Sequence, residues 1–373
     1  EIGPYSGHRG GMITYQGATK KKSLSDATPK QQTMTAELEK KIKFLVLKDV
    51  TTQNLKNIQV QFPTGMITTV CGVSGSGKTS LVEQTFWPCL HEKITGQALE
   101  GYTPKAKSLT PARVYQKIHQ VYFVSQAPIG RSSRSNIATY LGMFDIIRKL
   151  FASQELAQKL KLTTKSFSFN VAGGRCEHCK GLGTIVEDLS FLGEQSVICP
   201  VCQGRRFNND VLQVRYQDKT LIEILALTVE QAREVFFQSP KLVKILDQII
   251  EIGMGYMTLG QTVSSFSGGE AQRLKLLNLA LSKESEHPSV FIFDEPTTGL
   301  SDYDVKNLLN HLFYLKDQGH TIVIVEHHLD VIRQSDWVIE IGPEAADEGG
   351  QVIFQGFTTE LANAKNSIIK KYL

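Results

Sequence analysis

Gly72-Val73-Ser74-Gly75-Ser76-Gly77-Lys78-Thr79 follows an apolar run, Ile67 to Cys71, and leads into a segment of helical character from Ser80. Strand, glycine-rich loop and helix in that order make a P-loop. Glycines let the backbone fold tightly enough for its N–H groups to point at phosphate oxygens. At this spacing Lys78 can reach β- and γ-phosphates, and the Thr79 hydroxyl can hold magnesium. The expected phosphate ligands are Gly72, Ser74, Gly75, Ser76, Gly77, Lys78 and Thr79, with ATP or ADP and Mg2+ as cofactors.

Composition sets the bounds. With 373 residues and 41 % hydrophobic content, the chain has room for two or more domains and a sizeable core. Its longest apolar runs, such as Val290 to Phe293 and Thr321 to Val325, are far too short to cross a bilayer, and the opening residues do not read as a signal peptide. A cytoplasmic protein without a membrane partner is expected. A net charge of +4 and a pI near 8.6 are compatible with nucleic acid without arguing for it. Four of the six cysteines fall in two C-x2-C pairs, which in a chain of cytosolic character favours metal over disulfides. Cys71 and Cys89 read as packing residues.

Residues 1–17, EIGPYSGHRGGMITYQG, align without a gap with residues 340–356, EIGPEAADEGGQVIFQG. The match is an internal repeat, and residues 1–17 are expected to be the tail of a preceding homologous module. Residues 18–41 are polar and Lys-rich and read as a linker. Phe44 to Phe62 suggests short antiparallel strands leading to the P-loop strand. Ser80 to Trp87 reads as a helix stopped by Pro88. Val121 to Ser125 is strand-like and ends at Gln126. Residues 143–162 and Thr228 to Glu251 have helical periodicity, and an amphipathic helix is expected after Ser267. Val290 to Phe293, Thr321 to Val325 and Trp337 to Ile341 read as buried strands of a mostly parallel sheet.

Three further motifs carry chemistry. The strand Val290 to Phe293 ends in Asp294 and Glu295, where Asp294 would hold magnesium and Glu295 would polarise an attacking water. Ser267-Gly268-Gly269-Glu270 opens a helix, and its serine and N–H groups form an anion site suited to phosphate. Cys176, Cys179, Cys199 and Cys202 form two knuckles separated by nineteen residues, a spacing suited to a closed, structural Zn2+ site. His178 reads as a bystander. Between the knuckles Thr184 to Val197 suggests a β-hairpin, and Arg205-Arg206 could meet DNA or be ordinary surface arginines.

The order P-loop, Gln126, Ser267-Gly268-Gly269-Glu270, Asp294-Glu295, Gly299-Leu300-Ser301-Asp302 and His327 resembles that of ABC-type ATPases over residues 42 to 357. That resemblance implies catalytic roles for Gln126, which senses magnesium and water, and for His327, which reaches the γ-phosphate, beside Glu295. It places Asp302 at a dimer contact and gives the Ser-Gly-Gly-Glu site to the nucleotide of an opposite module. The implied fold is an α/β ABC-type ATPase head, a P-loop NTPase core with a small antiparallel β subdomain, plus a helical signature subdomain carrying an inserted four-cysteine zinc module. The corresponding boundaries are 42–127 and 283–373 for the core and 128–282 for the signature subdomain, with the zinc module at about 176–202.

A zinc module at that position is similar to that of the UvrA family of excinuclease proteins. Gly72 to Leu81, Ser125 to Tyr140, Phe167 to Asn208, Leu259 to Leu300 and Glu326 to Ile332 carry the match. The resemblance implies the C-terminal ATPase half of a tandem protein that dimerises, binds damaged double-stranded DNA and loads UvrB in nucleotide excision repair. Where the repair pattern has a Lys, a His and a Pro-Asp turn, this chain has Val186, Ser190 and Gly193-Glu194, with Glu187 and Asp188 beside them. That departure favours a UvrA-like paralogue, a group that includes proteins of resistance to DNA-binding drugs. The ATPase component of a transporter would share the ATP motifs but not the cysteines. A regulatory ATP-binding scaffold would share the motifs without turnover.

Overall fold

The computed structural model describes residues 2–3, 12–13, 42–125, 129, 135–188, 194–281, 287–300 and 302–372. The chain divides into two compact units, one formed by Glu1–Tyr15 with Pro128–Asn278, the other by Gln16–Ala127 with Leu279–Leu373. At the start, β1 (Ile2–Gly3) pairs antiparallel with β2 (Met12–Ile13), Ile2 opposite Ile13 and Gly3 opposite Met12.

In the second unit β3 (Phe44–Val50) pairs antiparallel with β4 (Ile58–Pro63), as the alternation predicts. Leu45, Leu47, Val60 and Phe62 point inward and are fully buried. β5 (Ile67–Gly72) ends at the P-loop, and α1 (Lys78–Leu81) follows it. The helix does not stop at Pro88. It widens into a π-turn over Val82–Phe86 and continues as α2 (Trp87–Thr95), closed by Gly96 in the left-handed region at φ 73. Proline lacks an N–H and crowds the carbonyl four residues back. The widened turn places Pro88 in the first turn of a new α segment, where that N–H has no partner to miss. Phe86 stacks on Phe62 with centroids 4.0 Å apart, fixing this helix against the antiparallel sheet. β6 (Ser108–Thr110) completes that sheet beside β3, and β7 (Val121–Val124) follows.

The first unit is helical. α3 (Met143–Ala152) buries Met143, Phe144, Ile147 and Phe151 along one stripe. The expected helix over 143–162 is broken in two, with α4 at Glu155–Lys159. Ser153 Oγ and Gln154 Nε2 both donate to Leu150 O, satisfying a terminal carbonyl and ending the first piece. β8 (Thr184–Asp188) and β9 (Glu194–Ile198) form the expected hairpin, and β10 (Arg215–Tyr216) with β11 (Lys219–Thr220) a smaller one. The segment Thr228 to Glu251 is α5 (Val229–Val235) and α6 (Pro240–Glu251), because Pro240 starts a helix more readily than it continues one. α7 (Gly268–Leu281) corrects the amphipathic expectation. Ala271, Gln272, Leu274, Leu276 and Leu277 are buried around most of its circumference.

The second unit resumes with β12 (Val290–Asp294), α8 (Asp302–Asp317), β13 (Thr321–Val325), α9 (Leu329–Gln334), β14 (Trp337–Gly342) and β15 (Gln351–Phe357). The main sheet runs β15-β14-β5-β13-β12-β7, parallel except for the edge strand β15. Strands covered on both faces read as continuous apolar runs, and all five residues of β13 are buried. Val70 lies opposite Val325, and Val325 opposite Asp294, so the carboxyl ends of β5, β13 and β12 finish side by side. That edge is where an α/β sheet presents its ligand site. In the β14–β15 hairpin Ile341 faces Val352 and Gly342 faces Gln351. These are the repeat-aligned counterparts of the Ile2–Ile13 and Gly3–Met12 pairs.

Candidate functional site

The P-loop bends through Gly72 (φ 138), Gly75 (φ 76) and Gly77 (φ 113), conformations that L side chains rarely adopt. A Cβ on Gly72 would also lie 2.0 Å from Ile341 O. Ser74, Gly75 and Thr79 are exposed, whereas the Ser76 side chain is buried beneath the loop. Lys78 Nζ donates to Gly72 O and Val73 O, 2.9 Å each. Burial pushes its pKa down, against the nearby acids Glu295, Asp294 and Glu326.

The loop is gripped from behind by a segment no motif points to. Ala346 N donates to Gly75 O (3.0 Å) and Gly350 N to Ser76 O (2.9 Å). Asn54 Nδ2 donates to Gly75 O and Ala346 O, 3.3 Å each. A Cβ on Gly349 would sit 3.2 Å from Ser76 Cα, and one on Gly350 1.9 Å from Asn54 O. The Gly-Gly pair of the repeat is thus a point of close approach to the phosphate loop.

Asp294 and Glu295 leave the end of β12 half-buried. Burial, then the neighbouring carboxylates of Glu295 and Glu83, push the Asp294 carboxyl up to about 6, with Lys78 pulling the other way. A divalent cation would relieve this crowding of acids, and hard oxygens from Asp294 and Thr79 fit magnesium by donor type. Glu295 has φ 46, a strained backbone for a residue with a side chain. His327 follows β13 with its ring exposed. Asp302 opens α8. Gln126 and Ser301 lie outside the described residues.

In the first unit Ser267 precedes α7. Ser267 N donates to Glu270 Oε2 (2.8 Å), and Tyr256 Oη donates to Glu270 Oε1. Burial pushes the Glu270 carboxyl up, but these hydrogen bonds outweigh it and hold its pKa below the usual range. Its carboxylate therefore caps its own helix start, beside Ser267, Gly268 and Gly269.

The four knuckle cysteines are buried, and their sulfurs lie within 4.8 Å of one another. Cys179 and Cys202 Sγ are 3.6 Å apart. Tetrahedral zinc with sulfur at about 2.3 Å needs neighbouring sulfurs about 3.8 Å apart, so the set fits such an ion. The two knuckles are built alike. Cys176 N donates to Arg206 O and Cys199 N to Gly183 O; Leu182 N donates to Cys179 O and Arg205 N to Cys202 O. Lys180-Gly181 and Gln203-Gly204 take the left-handed turns that follow each C-x2-C pair. Exposed His178 is outside the cluster. Phe169 lies 6.3 Å from Phe207 and 5.0 Å from Phe144, tying the knuckles to α3.

No family model matches the chain. UvrABC system protein A of Haemophilus influenzae is 40 % identical over 387 aligned residues, covering 100 % of this chain and 40 % of the relative. The same figures hold for UvrABC system protein A of Clostridium perfringens. Among solved structures, UvrA2 from Deinococcus radiodurans superposes with a TM-score of 0.83 at 39 % identity, over 100 % of this chain and 45 % of that one. The chain belongs to the UvrA family. It spans about 40 % of the length of the curated relatives it matches, and its fold is the α/β ABC-type ATPase fold with a four-cysteine module.

Within this UvrA-family chain the two arginines after the second knuckle part company. Arg205 is exposed, but Arg206 is half-buried with its guanidinium 5.8 Å from the Phe169 ring centroid. On the hairpin, Glu187 pairs opposite Gln195 and Asp188 opposite Glu194, and Val186 is exposed on β8. Ser190 and Gly193 lie outside the described residues. Glu83 and Glu326 are both close enough to affect Asp294; Glu83 belongs to no motif, and its spacing one helical turn past Thr79 is the signal that could have found it, while Glu326 opens the matching stretch 326–332 without a role of its own there. Among the described residues, no helix is long and apolar enough to cross a membrane.

Proposed function

We propose that this chain is an ATP-binding and ATP-hydrolysing module of a UvrA-like protein that acts on double-stranded DNA in nucleotide excision repair. The observation that carries the reading is the grouping of Lys78 with Asp294 and Glu295 past the carboxyl ends of β5 and β12, the parallel strands on either side of β13. The P-loop holds the phosphates of ATP or ADP, Thr79 and Asp294 hold magnesium, and Glu295 accepts a proton from the attacking water. His327 and Gln126 orient the γ-phosphate and that water. Ser267, Gly268, Gly269 and Glu270 serve the nucleotide of a second module, so the working unit contains another ATPase half and a homodimer of the whole protein. The equal register of the β1–β2 and β14–β15 pairs supports a homologous module before residue 18. The four cysteines hold one structural zinc. UvrB is the partner expected of a repair protein, and a cytoplasmic location and a place in the SOS response go with that role.

A second reading, a UvrA-like paralogue in resistance to DNA-binding drugs, is favoured by the acidic residues of β8. Like charge repels phosphate, so Glu187 and Asp188 suit this hairpin poorly for a duplex. Gel shift of the intact protein with ATP tests both readings. A salt-sensitive shift of duplex DNA is expected, and its absence overturns the DNA role. Preference for a damaged over an undamaged duplex supports repair; equal affinity supports the paralogue.

A further inference from the structure

We propose that Glu326 is a positioning residue of the ATPase site, a buried carboxylate that fixes Glu295 and His327 relative to one another. The proposal rests on the reading of this site as an ATPase. Glu326 follows the last residue of β13 and is 0 % exposed. Its Oε1 accepts from Thr297 N (3.0 Å) and from Thr297 Oγ1. Its Oε2 accepts from His327 N (2.6 Å) and His328 N (3.0 Å). One side chain thus takes four donors, three of them backbone N–H groups, from the chain beyond two neighbouring strands.

These strands need such a tie. Glu295 N to Val325 O, at 2.9 Å, joins β12 to β13 just before both chains leave the sheet. Beyond it, Glu295 stands at φ 46, a conformation kept only where the surroundings impose it. Thr297, two residues on, is where they do so. Its N–H and hydroxyl are held by Glu326, and its O accepts from Leu300 N. On the other side the same carboxylate holds the amides of His327 and His328, which lead into α9. A carboxylate suits this place because all four donors need acceptors. An amide would present an NH2 group to one pair of N–H groups at unchanged volume. A misplacement of about 1 Å in a reacting group costs about a hundredfold in rate, so a tie between the two loops acts on turnover more than on nucleotide binding.

The test compares the intact protein with Glu326→Gln, Glu326→Asp and Glu295→Gln. Steady-state ATP turnover and fluorescent-nucleotide binding are measured on each, with amide hydrogen exchange at residues 75–79 and 297–328. For Glu326→Gln, kcat is expected to fall about tenfold or more while KM and nucleotide affinity stay within about threefold of the parent. Glu326→Asp, shorter by one methylene but still a carboxylate, should fall between the two. Exchange should accelerate at the Thr297, His327 and His328 amides and not at 75–79. A Glu326→Gln kcat within about twofold of the parent overturns the proposal, as does a kcat loss matched by equal loss of nucleotide affinity. A parent no faster than Glu295→Gln overturns the ATPase reading instead, and the role of Glu326 in turnover with it. In that case the exchange pattern still decides whether Glu326 ties the two loops.

Discussion

The knuckles and the phosphate site are built by opposite means. The cysteine cluster is local, since Cys176 and Arg206 bound it, each half repeats the hydrogen bonds of the other, and a pair of left-handed residues follows each C-x2-C. The phosphate site is assembled from Asn54, the loop at 72–79, Asp294-Glu295, Glu326-His327 and Ala346–Gly350, brought together by a parallel sheet. A local centre of four thiols would depend on a bound ion, because little core lies between its turns. A dispersed one depends on the sheet, so its chemistry can be altered while the fold stands.

The largest effect should come from breaking the local centre. Structural zinc contributes about 10 kcal/mol or more to small folds that depend on it. Cys199→Ser should lower bound zinc from one equivalent to less than about half and unfold the segment between the knuckles. Metal analysis and near-UV circular dichroism check this, and nucleotide binding in the other unit should survive. A variant that keeps its zinc would show that three thiolates suffice. In the dispersed site the counterpart is Glu295→Gln, which should cut ATP turnover about a hundredfold or more while leaving ATP bound. Equal turnover in variant and parent would remove Glu295 from the chemistry.

Between these in kind lies Gly350→Ala. It adds a methyl where Asn54 O would be 1.9 Å away, at φ 77, on a residue far in sequence from the phosphate loop. Strain of about 1–3 kcal/mol is expected, lowering the melting temperature of this unit by several degrees. Nucleotide affinity should fall with it, because Gly350 N holds Ser76 O. Unchanged affinity with lowered stability would separate the buttress from the site.

The same contrast decides what could be read in the sequence. The P-loop, both knuckles and the parallel strands of the main sheet are legible because each is set by neighbours a few residues away. Pro88 misleads because the π-turn that absorbs it leaves no local mark. The break at Ser153 is hidden inside apolar periodicity that continues across it, whereas the one at Ser239 is marked by Pro240, which starts α6. α7 reads as amphipathic although it is buried around most of its circumference, since burial depends on what surrounds the helix. Glu326, Asn54 and the Gly349-Gly350 pair escape for one reason. Asn54 meets partners 21 and 292 residues away, and Glu326 ties the amides beside it to Thr297, 29 residues back, links that periodicity does not carry.

The smallest effect concerns the proton on Asp294. Its carboxyl is raised to about 6 by burial and by the charges of Glu295 and Glu83. The unfolded chain has the ordinary carboxylate value near 4, so folding favours the protonated form. The contribution of this group to stability is therefore fully present below about pH 4 and is lost as pH rises through about 6. Magnesium held as proposed needs the carboxylate, so its binding should run the other way and weaken as pH falls through 6. Apparent Mg2+ affinity in the presence of ADP should drop about tenfold per pH unit below that point, and Asp294→Asn should bind weakly with no such slope. A flat profile between pH 5 and 7 in the parent would mean that the nucleotide has already drawn the proton off. Asp294 would then act as a fixed ligand, ionised throughout that range.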